Sequence, residues 1–252
     1  MWRSASEYFL AQGGLGLRTW ILSLAALCGA GGCGSISSHG LNAEGARHFQ
    51  SGQHQVALDT FQRAIAADPR NADGYYNLAA VYHHLGKANH DNNYYAQAEQ
   101  YYHQAIDLDK DHPEAYRGLA VLMTEQQRTE EAVQLLAGWE QRSPTSADAR
   151  VELARMYQEL GQRDQAEKHL LEAIAIDTRH SRARAALGML REQEGDTRQA
   201  LINYTTSLES NRVQPQVAAR VAALSATLPP PSLTGPMSGT RMVTLPTPTS
   251  IR

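Results

Sequence analysis

The sequence predicts an all-α chain built as a linear stack of helix pairs, and three rows of residues predict it. One row of small residues, Gly45, Ala79, Ala120, Ala154 and Gly188, is spaced by 34, 41, 34 and 34 positions. A second, Ala57, Ala98, Ala132, Ala166 and Ala200, is spaced by 41, 34, 34 and 34. Both rows take seven extra residues in the same repeat, so an insertion lies between Ala79 and Ala98. The third row, Phe61, Tyr102, Leu136, Leu170 and Tyr204, follows the second by four positions, which puts each pair on one helix face. A small side chain lets the neighbouring helix approach, and a bulky one fills the space beside it. One such hairpin buries too little apolar surface to offset its ordering entropy, so it needs copies on either side.

Each element follows in order. Repeat one, residues 38–71, carries apolar residues at helical spacing, a bend at Gly52 and a breaker at Pro69. Repeat two, 72–112, opens with NADGYYNLAAVYHHLG. Its insertion, about 87–97, contains Lys87, Asn89, Asp91, Asn92 and Asn93 and predicts a protruding loop. Repeats 113–146, 147–180 and 181–214 follow without insertion. The fourth is the most complete: Leu153, Ala154 and Tyr157 share a face, Gly161 closes the helix, and Ala166, Leu170 and Ala173 make the inner face of the next. Residues 215–227, PQVAARVAALSAT, begin with proline at a first-turn position and predict a single capping helix. The tail, 228–252, is rich in Pro, Thr, Ser and Gly and has no acidic residue, which predicts disorder.

The registered rows resemble the tetratricopeptide repeat family from Ser38 to Arg212. The resemblance implies a right-handed α-solenoid of about five helix pairs, whose first helices line a concave groove that holds a partner's peptide or helix. Carried onto this sequence, the groove face is Phe49, Tyr76, Asn77, Ala80, His84, Arg117, Val121, Val151, Arg155 and Met189. Asn77 stands where an asparagine of the family often bonds a bound peptide's backbone. The family's carboxylate clamp is incomplete: Asn42 and Asn77 are present, but Ala46, Glu114 and Gly118 fill its other places.

Ahead of the repeats, Arg3 and Arg18 precede the apolar run TWILSLAALCGA and then GGCGS, the order of a secretory signal. The run is about a dozen residues, against roughly 20 for a spanning helix. AGGC, ending at Cys33, resembles the lipobox of bacterial lipoproteins, whose cysteine becomes the lipidated first residue. That reading makes 1–33 a signal peptide and 34–37 a tether, with a plain cleaved signal or a cytosolic start as alternatives. Gly34, in place of the aspartate that often retains such proteins in the inner membrane, implies an outer-membrane lipoprotein; without the lipid the chain would be periplasmic.

Other function classes find little support. A net charge of −3 with no long basic run gives no footprint for nucleic acid. Both cysteines, Cys28 and Cys33, precede the repeats, so no disulfide or cysteine metal cluster holds these together. The glycine-rich leader lacks the Gly-Lys-Ser/Thr of a phosphate loop. His83, His84, His90 and His103 gather around the insertion without metal-ligand spacing and predict a solvated helix face. With no catalytic set, metal or cofactor expected, the chain reads as a non-enzymatic envelope scaffold that binds a protein or peptide in its groove and a membrane through a lipid at Cys33. A pilotin-like assembly factor for pili or secretion machinery and a cytosolic adaptor are the alternatives. Self-association is left open.

Overall fold

The computed structural model describes residues 37–227; the leader with Cys33, most of the tether and the tail lie outside the described residues. Among the described residues there are eleven α-helices and no strand. Five pairs run in sequence: α1 (Ser38–Gln50) with α2 (His54–Ala67), α3 (Ala72–Asn89) with α4 (Asn92–Leu108), α5 (Pro113–Glu125) with α6 (Thr129–Arg142), α7 (Ala147–Glu159) with α8 (Arg163–Ile176), and α9 (Ser181–Gln193) with α10 (Thr197–Ser210). The eleventh, α11 (Pro215–Thr227), starts 34 residues after α9 and packs on α10, so it holds the place of a sixth first helix. None of the described helices is long and apolar enough to cross a membrane.

The first helices of neighbouring repeats touch one another as well as their own partners, while the second helices make no comparable contact. Helices that lie closer together sit inside the curve, so α1, α3, α5, α7 and α9 line the concave side. Each of them begins with a side-chain cap, from Ser37, Asn71, His112, Ser146 and His180 in turn.

The small and large rows meet as their chemistry requires, in two variants. In repeats one and five the pair is glycine with an aromatic: a Cβ on Gly45 would lie 2.6 Å from the Phe61 ring, and one on Gly188 2.7 Å from the Tyr204 ring. Repeats three and four instead pair Ala120 with Leu136 and Ala154 with Leu170, all fully buried. Repeat two combines Ala79 with Tyr102, and there Gly118 of the next repeat makes the room, since its Cβ would fall 2.5 Å from the tyrosine ring. Gly188→Ala is therefore expected to cost about 2 kcal/mol by overpacking. Adding Tyr204→Leu, which rebuilds repeat four's pair, should recover more than half of that loss in a denaturation cycle. Additive losses would contradict the pairing.

The bends show a second regularity. Gly52, Gly161 and Gly195 sit at φ of 75°, 73° and 82°, with open space around each. At the equivalent place in repeat three stands Gln127, at φ 64°. A side chain in this region clashes with its own backbone. Gln127→Gly should thus raise stability by about 0.5–1 kcal/mol, seen as a higher denaturation midpoint; an unchanged midpoint would refute the strain.

The insertion departs from the sequence expectation. It forms no protruding loop: α3 has 18 residues where the other first helices have 13, and α4 has 17 where other second helices have 14. Only His90 and Asp91 separate them, so two longer helices and a bend one residue shorter absorb the seven extra positions. Packing overrides the loop-forming composition. Tyr82 stacks on Tyr101 at 5.6 Å and on Tyr94 at 6.1 Å, and the buried Gly86 lets Tyr95 close on α3.

Candidate functional site: the concave face

The concave face has two halves of different chemistry. In repeats one and two it is aromatic and amide. Phe49, His54 and His84 form a cluster with ring centroids 4.6–5.5 Å apart, and His84 is exposed. Tyr76 lies half-buried beside His112, at 5.4 Å, and Tyr102, at 6.2 Å. Burial, with Glu114 and Asp73 nearby, raises the pKa of the Tyr76 hydroxyl above its ordinary value. Asn77, one residue on, is partly exposed, and its amide makes no hydrogen bond with any described residue. Ala46 of α1 and Ala80, one turn further along α3, are small and also partly exposed. Asn42 is buried, with neither amide atom paired within the described residues.

In repeats three to five the same face is ionic and locked. Glu152 of α7 has 1% of its side chain exposed and receives three arginines from three successive first helices. Arg117 of α5 donates through Nε to both carboxylate oxygens, at 3.0 and 2.9 Å, and again through Nη2. Arg155 donates at 3.2 Å and Arg182 of α9 at 2.7 Å. Arg155 also pairs with Glu159, and Arg182 with Asp148. Arg117 and Arg155, expected on the partner-binding face, are thus committed to a bonded network; the Glu152 carboxylate raises the Arg117 pKa above its ordinary value. Val151, only 7% exposed, belongs to the core, Val121 is half-buried, and Met189 is exposed.

Histidine plays a structural part that the sequence does not disclose. His112 and His180 cap α5 and α9 by accepting, at Nδ1, the backbone N–H of Ala115 and Ala183 at 3.3 and 3.2 Å. Their Nε2 atoms point back to the preceding first helix, meeting Asp73 at 3.2 Å and Asp148 at 2.9 Å. One imidazole so caps a helix and ties it to its neighbour. His83, expected on a solvated face, has 12% of its side chain exposed and bonds Glu125 at 3.0 Å, where Lys87 joins it. Burial pushes the Glu125 carboxyl up, but the Lys87 and His83 bonds outweigh it and leave the pKa lowered. With Arg128 gripping Glu99 at 2.9 Å through both nitrogens, these bonds seat the lengthened hairpin on repeat three.

The fold and groove define an α-solenoid of helix pairs with one lining face. Tetratricopeptide-repeat models match residues 45–86 and, overlapping, 91–142 and 140–190. The chain belongs to the tetratricopeptide repeat family. Among solved structures it is similar to a thermophilic TPR protein of Thermus thermophilus, 24% identical over 75% of this chain and 100% of that one, with a TM-score of 0.56. It is also similar to pilF of Pseudomonas aeruginosa, 18% identical over 75% of this chain and 83% of that one, with a TM-score of 0.50. These likenesses are of fold. A comparison with curated proteins found no match. The fold is that of a protein-binding scaffold, a class whose members are in general not enzymes.

Proposed function

We propose that the chain is a non-enzymatic scaffold of the bacterial cell envelope that holds an extended segment of a partner protein across the concave face of repeats one and two. The uncommitted Asn77 amide carries this reading, because it is partly exposed on α3, next in sequence to Tyr76 and two turns before His84 of the Phe49 cluster. An amide with one donor end and one acceptor end pairs with a peptide unit, and flanking aromatic and small residues give pockets for alternate side chains. The ionic half is a stiff wall that keeps the groove open. The leader with its lipobox-like end supports placing the scaffold at the outer membrane, anchored through Cys33 or released after cleavage.

Peptides selected from a random library against the full chain test the site. Asn77→Ala is expected to weaken their binding about tenfold, the loss of about 1.4 kcal/mol, with the helical spectrum unchanged. Equal affinity for the variant would move recognition elsewhere. For the anchor, labelled palmitate should enter the wild-type chain and not Cys33→Ser; label persisting in the variant would refute lipidation there.

A further inference from the structure

The buried apolar core divides in two along α7. On the second-helix side of that divide lies a polar cluster: Glu140 of α6, Arg150 of α7, and His169 and Glu172 of α8. Arg150 occupies the place that Tyr116 fills in repeat three, where the ring is fully buried against Trp139. Arg150 has 14% of its side chain exposed and donates through Nη1 to the Ser146 carbonyl at 3.1 Å. Its Nε faces Glu140 at 3.4 Å and Glu172 at 3.7 Å without forming a hydrogen bond.

His169 is only 8% exposed and lies flat on the Tyr157 ring, 5.4 Å between centroids and 14° between planes. Its Nδ1 faces Glu140 at 3.2 Å and Glu172 at 3.6 Å, yet makes no hydrogen bond with any described residue. A buried imidazole nitrogen aimed between two carboxylates is an arrangement in want of a bridging group. One nitrogen and two oxygens lie within 4.8 Å of one another. A tetrahedral zinc ion, with bonds of about 2.0–2.1 Å, sets its ligands about 3.3–3.4 Å apart. The two histidine distances straddle that value, and Glu172, 41% exposed at its side chain, has the freedom to close the remaining gap.

We infer that Glu140, His169 and Glu172 form a three-ligand site for a divalent transition metal of the zinc class, bridging repeats three and four. The nitrogen ligand disfavours magnesium and calcium, which take oxygen. The two carboxylates outweigh the one guanidinium beside them, which favours a dication at the cluster. Arg150 Nε lies 3.4 Å and 3.7 Å from the same two carboxylate oxygens, Glu140 Oε1 and Glu172 Oε2, and offsets part of their charge without a hydrogen bond. The ion would pin α6 to α8 and fix the curvature between the two repeats. This inference is independent of what the groove binds.

Zinc titrated into the metal-stripped full chain, with Cys28→Ser and Cys33→Ser to remove competing thiols, tests it. The expected result is one zinc bound per chain, a higher unfolding midpoint, and no response to magnesium. His169→Gln should weaken binding at least tenfold. Should that variant fold poorly, Glu172→Gln, on the exposed side of the cluster, should do the same with an unchanged helical spectrum. Absence of zinc binding, or binding that survives both replacements, would overturn the site.

Discussion

Glu152→Ala is expected to destabilise the chain by about 3 kcal/mol, the largest loss of any single change on the concave face. Removing one member of a buried ionic group leaves the others without compensation, at a typical cost of about 3–5 kcal/mol. The lower end applies because Arg117, Arg155 and Arg182 keep 27–36% of their side chains exposed and can turn towards water. Each arginine removed singly should cost about 1 kcal/mol, since two partners still hold the carboxylate. Denaturant unfolding of the four variants checks this asymmetry. Equal losses from all four would mean that the pairs act separately rather than as one staple across three repeats.

Trp139→Ala should cost about 4 kcal/mol, the value typical of a large aromatic removed from a close-packed site. Trp139 is fully buried and stacks on Tyr116 with centroids 4.2 Å apart and planes 2° from parallel. Its Nε1 donates to Asp111 at 2.8 Å, and Ser143 donates to the same oxygen. The Ser143 and Trp139 bonds hold the Asp111 carboxyl below its ordinary range. A lowered folded-state pKa gives stability that is present above about pH 4 and lost as pH falls through the folded value. Trp139→Phe, which keeps a ring and deletes the N–H, should therefore show a shallower acid loss than wild type. An identical pH profile would show that the indole bond contributes nothing to the carboxyl.

The repeat architecture is legible in the sequence because its cause is periodic. Small and large residues recur every 34 positions, and the helices that bury them recur with the same step. The insertion misleads because Lys, Asn, Asp and His favour loops locally. The apolar spacing of Val81, Tyr82, Leu85, Tyr94, Tyr95 and Ala98 nonetheless runs on through it, and it is that face that packs. The groove is legible as a face and not as a set of free side chains. Arg117 and Glu152 are 35 residues apart, one repeat plus one position, and His180 and Asp148 are 32 apart. Such pairings follow from the repeat step once the stack exists. A single row of groove residues, taken helix by helix, does not contain them. Trp139 stands where the other second helices carry Ala64, Ala105, Ala173 and Ser207, but its stacking partner Tyr116 lies on a first helix, and only the folded stack joins the two.

A photo-crosslinking scan along the groove separates recognition in repeats one and two from recognition elsewhere. Benzoylphenylalanine would replace Ala46, Ala80, Val121, Ala186 and, on the second-helix side, the exposed Arg63, in cells making the full chain. The prediction is one common partner adduct from Ala46 and Ala80, absent at Ala186 and Arg63. Adducts confined to Ala186 or Arg63, or none at any position, would contradict it.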